Sequence, residues 1–149
     1  MRWPAGLPAG ERRSELVQWI DLAPTVMEVA GVEPPAGYQG GSLLEVARGG
    51  DWDREWALCQ YRNSGHGYAD PAQVTMLRRG DWKLALHHGA PASGRERAGE
   101  LYDLASDPGE LVNRWDDPDC AEVRRELTEL MVDVLVGVED RSNPRLAHW

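Results

Sequence analysis

The sequence predicts an α+β chain: a small antiparallel sheet of about four strands packed against a C-terminal helix, preceded by short helical elements. Between residues 56 and 104, short alternating runs are separated by segments rich in Gly and Pro. That texture favours hairpins, because parallel crossovers would need a helix between strands. From about Pro118 to Val136, apolar residues recur at spacings of three and four, which makes one covering stripe. Before residue 50, helical periodicity is brief and punctuated by Pro and Gly.

Taken in order, the first ten residues read as a loop. Leu16, Val17, Trp19 and Ile20 form a short apolar run, after which Asp21 is placed to cap a helix holding Pro24 in its first turn, where a missing amide costs nothing. Leu22, Val26 and Val29 recur at helical spacing, and Gly31 stops them. Residues 33–41 are a loop, and Ser42 opens a short helix through Ala47.

Four strands follow: Trp56 to Tyr61, Val74 to Arg78, Trp82 to His88 and Leu101 to Leu104. In the third, Trp82, Leu84 and Leu86 share a face opposite Lys83, Ala85 and His87. Asp103 and Asp107 close the last strand and start an Asp-Pro-Gly turn in which Gly109 is free to take positive φ. Asp117 caps the final helix with Pro118 in its first position. Cys120, Val123, Leu127, Leu130 and Val134 form its stripe, widened by Met131, Leu135 and Val138, while Glu122, Arg125, Glu126 and Glu129 face solvent. Gly137 ends it.

The 149 residues fit one domain and contain no apolar run near the ~20 residues that cross a bilayer. A net charge of -9 and the lack of a basic patch speak against nucleic acid. Seven Trp and four Tyr supply an ordered but modest core. Cys59 and Cys120 make no C-x-x-C and read as buried free thiols. The first residues lack the apolar core of a secretory signal peptide, which leaves the cytoplasm as the default compartment.

Reactive chemistry is scarce. His87 and His88 alternate across a strand and cannot share a metal as helical histidines do. Asp103, Asp107, Asp116, Asp117 and Asp119 lie close together but fail the EF-hand pattern. No Ser, His and acid assemble a triad, and no phosphate loop is present. Lys83, the sole lysine, reads as a salt bridge or as a stem lying across Trp82. Arg62, Asn63 and His66 sit in a polar loop of the kind that shapes a binding pocket; the alternative is an exposed loop of incidental polarity.

Four segments share one resemblance. Arg2-Trp3-Pro4-Ala5-Gly6, Asp21-Leu22-Ala23-Pro24-Thr25 with Ala30-Gly31, Gly40-Gly41-Ser42-Leu43, and the block from Gly80-Asp81-Trp82-Lys83-Leu84 through Glu100-Leu101-Tyr102-Asp103-Leu104 and Asp107-Pro108-Gly109-Glu110 to Asn113 resemble, in order, the C-terminal portion of the sulfatase family. The second half is also similar to the C-terminal domain of N-sulphoglucosamine sulphohydrolase relatives and bacterial arylsulfatases.

The resemblance implies an alkaline-phosphatase-like α/β enzyme, with residues 1–50 the last elements of its large catalytic domain and residues 51–149 its C-terminal subdomain. It implies a sulfuric ester hydrolase that uses a divalent cation, typically calcium, and a formylglycine made within a Cys/Ser-x-Pro-x-Arg motif. Cys120-Ala121-Glu122-Val123-Arg124 has that spacing, but Glu122 stands where Pro is required. No catalytic or metal-binding residue is therefore assigned here, and the implied role is to buttress the catalytic domain and wall the cleft for a sulfated small molecule or glycan. Arg62, Asn63 and His66 are the substrate-binding candidates. Two other classes stay open: a stand-alone interaction domain with a sealed surface, and a small hydrolase using His66 or His87.

Overall fold

The computed structural model describes residues 1–62, 73–88 and 98–139. They fall into two compact units, one holding Met1–Glu55 and the described residues from Val136, the other Trp56–Leu135. Asn63 and His66, and the tail with His148 and Trp149, lie outside the described residues.

In the first unit a 3-10 turn, Trp19–Asp21, runs into helix α1, Leu22–Val29, and a second short helix, α2, spans Leu44–Arg48. Asp21 is the residue before α1, as expected, yet its side chain makes no bond to that helix's first amides. It is fully buried instead. Its carboxylate accepts from the amides of Gln18 (2.6 Å) and Gly41 (3.1 Å) and from both terminal nitrogens of Arg54. Arg54 in turn stacks over the Trp52 ring at 4.8 Å.

Thr25 extends the same connection. Its hydroxyl donates to the Asp21 carbonyl (2.5 Å) and accepts from the Leu43 amide (2.8 Å). A Cβ at Gly40 would run into the Ile20 carbonyl oxygen, so glycine is what lets these segments meet. The apolar core of this unit is small: Leu43, Leu44 and Val46 are buried. α2 begins one residue later than expected, with the Ser42 hydroxyl accepting from the Leu44 amide at 3.3 Å, and Gly49 stops it at φ 96°.

The second unit holds a sheet of β1, Trp56–Arg62, β2, Gln73–Arg79, β3, Trp82–His87, and β4, Ala98–Asp103. Neighbours in sequence are neighbours in the sheet, and all pairs are antiparallel. β4 starts three residues before the expected Leu101, because Ala98 and Gly99 complete the ladder with His87 and Leu86. Leu58, Leu77, Leu84 and Leu101 stand side by side across the four strands. The last three are fully buried. Each such leucine contributes about 1.5–3 kcal/mol relative to exposure.

The next row on this face is Gln60, Thr75, Leu86 and Gly99. A Cβ at Gly99 would overlap the Trp115 indole, which lies flat against the strand there. Asp117 accepts from the Asp119 amide at 3.0 Å and caps a 3-10 turn, Pro118–Cys120, that feeds helix α3, Ala121–Gly137. Leu127, Met131 and Val134 are buried on α3's stripe, whose centre passes through Met131 and not Leu130, whereas Cys120, expected on that stripe, is buried in the 3-10 turn ahead of it.

Two expectations need correction. Cys59 is a free thiol but an exposed one, because the outer strand β1 is exposed on both faces from Cys59 to Arg62; Cys120 is buried. Gly109 does not carry the positive φ of its turn; Glu110 does, at 55°.

Candidate functional site

The end of the sheet where β1 and β3 finish carries the one described member of the expected substrate-binding set. Arg62 is the last residue of β1 and opposes Gln73. The His88 amide donates to the Gln73 carbonyl at 2.8 Å, carrying the β2–β3 pairing one residue past β3. Arg62, Gln73 and His88 are thus the final row, on the face that also bears Thr75. Arg62 donates to the Thr75 hydroxyl at 3.4 Å and to the Val74 carbonyl at 3.1 Å, and the Nε2 of His88 lies 2.9 Å from the same hydroxyl. Thr75 is fully buried and gives two exposed-end side chains a common fixed point.

The opposite face has its own polar set. His87 Nε2 donates to Glu100 Oε1 at 2.8 Å, and the Tyr102 hydroxyl donates to Glu100 Oε2 at 3.0 Å. The His87 hydrogen bond, ahead of partial desolvation that works the other way, holds the Glu100 carboxyl below its usual range. Lys83 bonds Glu110 at 2.5 Å, with its ammonium 5.9 Å from the centre of the Tyr102 ring. The salt bridge is as expected, but the aromatic neighbour is the cross-strand Tyr102. Trp82, adjacent in sequence, points to the other face.

Asn113 closes the outer side of β4. Its carbonyl oxygen accepts from the Leu101 amide (3.0 Å) and the Trp115 amide (2.9 Å), while its NH2 donates to the Gly99 carbonyl (3.2 Å). The Arg114 amide adds a bond to the Leu101 carbonyl at 2.8 Å. One side chain here stands in for a strand neighbour and blunts an edge that would otherwise invite pairing. Asn113→Ala is expected to lower stability by about 1 kcal/mol, since water can replace part of what is lost. A urea midpoint unchanged within error would contradict that role.

Asp103 and Asp107 are occupied locally. Asp103 accepts from the Ala105 amide (3.1 Å) and the Ser106 hydroxyl (2.8 Å), and Asp107 accepts from the Val112 amide (2.9 Å). Among the described residues no three His, Cys, Asp or Glu side chains converge where a metal ion could sit. The described residues therefore offer no converging ligand set for the divalent cation that the resemblance implies. None of the described helices is long and apolar enough to cross a membrane.

The N-sulphoglucosamine sulphohydrolase C-terminal family matches residues 1–136. The chain belongs to this sulfatase family. N-acetylglucosamine-6-O-sulfatase of Bacteroides thetaiotaomicron is 30% identical over 146 residues, which is 94% of this chain and 25% of that protein. Human arylsulfatase K is 30% identical over 116 residues, 72% of this chain and 20% of its own length. This sulfatase chain thus spans a fifth to a quarter of the length of these curated relatives.

Among solved structures, BT4656 in complex with its substrate D-glucosamine-2-N,6-O-disulfate superposes with a TM-score of 0.79 at 26% identity, covering 98% of this chain and 29% of that one. The phosphonate monoester hydrolase of Agrobacterium radiobacter, at 24% identity and a TM-score of 0.73 over 94% of this chain and 29% of its own, shows the shared fold alone. The sulfatase motifs now have physical content. Asp21 and Thr25 grip the Gly-Gly-Ser-Leu segment, Lys83 grips Glu110, and Asn113 grips β4. They are scaffold fastenings, and sequence reading missed the buried Asp21–Arg54 pair and the Thr75–His88 contact because both partners are remote in sequence.

Proposed function

We propose that this chain is the C-terminal portion of a sulfuric ester hydrolase, inactive by itself, that buttresses a catalytic domain and walls its cleft for a sulfated saccharide of the glucosamine type. The observation that carries this is the apolar face left open on the first unit. Trp19 is 90% exposed and Val26 67%, with Ile20, Leu22 and Val29 exposed beside them. A helix that turns an uncharged face to water has a missing neighbour. The relatives, about four times longer, supply a candidate for it in the portion that this chain does not span.

On this reading residues 1–50 complete the large domain and residues 51–149 form the small one. The formylglycine and the divalent cation of the sulfatase reaction would belong to the complementary portion. Cys120 is no nucleophile here, being buried in the 3-10 turn that leads into α3. Arg62, Asn63 and His66 would face the saccharide. A stand-alone interaction domain would have a sealed apolar surface, which the exposed Trp19 and Val26 do not favour.

The test is complementation. The B. thetaiotaomicron N-acetylglucosamine-6-O-sulfatase lacking the quarter that this chain matches is co-expressed with the chain. Association is expected, with Val26→Asp weakening it at least tenfold, because a charge would be trapped against an apolar surface. Indifference of association to both Val26→Asp and Trp19→Ser would overturn the docking role.

A further inference from the structure

We propose that Arg62 and His88, aligned by the buried Thr75, form an oxyanion-recognition pair for a sulfate group of the saccharide other than the one being cleaved. This deepens the reading above and rests on it.

The sheet register does the placing. Arg62 and His88 flank Gln73 in the final row, so their side chains rise from one face. Both reach the Thr75 hydroxyl, Arg62 at 3.4 Å and His88 at 2.9 Å, and their donor atoms are therefore gathered at one place on the sheet end. Thr75 is fully buried between the strands and cannot drift, whereas Arg62 is exposed. A flexible cation is thereby held in one orientation before a ligand arrives, which reduces the ordering cost of binding.

Charge selects the ligand. Lys83, Arg54 and Arg125 each sit against a carboxylate. Arg62 donates only to neutral oxygens, those of Tyr61, Val74 and Thr75. Its charge is not cancelled by a described carboxylate, although the chain as a whole carries -9. The Arg62 Nε–H makes none of these bonds and is left to donate to the oxygens of a sulfate or sulfamate, beside the His88 ring held at the same hydroxyl, and the planar fork is where arginine exceeds lysine. A neutral hydroxyl would gain far less.

The experiment uses the full chain, isotope-labelled and followed by NMR. It is titrated separately with D-glucosamine 6-sulfate, D-glucosamine and inorganic sulfate. Saturable shifts at the Arg62 Nε–H, the Thr75 amide and the His88 ring are expected with the sulfated sugar and none with glucosamine. Arg62→Gln should weaken binding about tenfold, the worth of one charge-assisted hydrogen bond; Arg62→Lys should recover part of it, and His88→Gln should weaken binding severalfold. Unchanged amide spectra away from the sheet end establish that the variants fold.

Equal shifts with glucosamine and its sulfate, or none with either, overturn the proposal. Inorganic sulfate binding as tightly as the sulfated sugar overturns the saccharide assignment. Arg62 is not on the α1 face, so its variants should leave association with the catalytic portion intact. Sugar binding left undiminished by Arg62→Gln and His88→Gln, with association retained, sinks this inference alone, while failure of the unaltered chain to associate sinks the reading beneath it.

Discussion

Arg54→Ala is expected to destabilise the first unit by about 4 kcal/mol, because removing one member of a buried ion pair strands the other. Asp21 would remain fully buried with two amide donors and no counter-charge. The small apolar core of Leu43, Leu44 and Val46 has little to set against that. Hydrogen exchange at the amides of Gly41 and Leu43 reads the loss locally; protection within a factor of three of wild type would refute it.

Acid should act on the same pair. Burial pushes the Asp21 carboxyl upward, but the hydrogen bonds from Arg54, Gln18 and Gly41 outweigh it and hold it below its ordinary 3.8. A lowered native value means that the unfolded chain binds the proton more readily. The contribution is complete above the ordinary carboxylate range and drains away as pH falls through the native value. Arg54→Ala should remove that acid dependence as well as the stability.

Leu84→Ala is expected to cost the second unit about 3 kcal/mol, the usual result of opening a cavity in a packed core. Leu84 is fully buried between Leu77 and Leu101 in the row that crosses the sheet. An inner strand offers nothing to collapse into the gap. Denaturant unfolding should show a lower midpoint at unchanged slope, and a loss below 1 kcal/mol would mean that this row is not the centre of the core.

Much of the second unit was legible because period-two alternation and helical spacing are local signals. The shared face of Trp82, Leu84 and Leu86, the Asp117 cap and the covering stripe of α3 all follow from residues within one turn or strand of each other. What was not legible depends on remote partners. Asp21 presents the same letter whether it caps α1 or meets Arg54, 33 positions away. Gly109 is the natural site for positive φ, yet Glu110 takes it while its carboxylate bonds Lys83. Arg62 could be picked from its polar setting, but Thr75 and His88 come beside it only through the strand register.

The grip of Asp21 on Gly41 and Arg54 also constrains how such a chain can diverge. A carboxylate enclosed this way tolerates loss of its guanidinium only if it is itself replaced by something neutral, and the glycine beside Ile20 admits no side chain unless that carbonyl retreats. Positions 21, 40 and 54 should drift as a set, so that a descendant altered at one of them betrays compensating changes at the others.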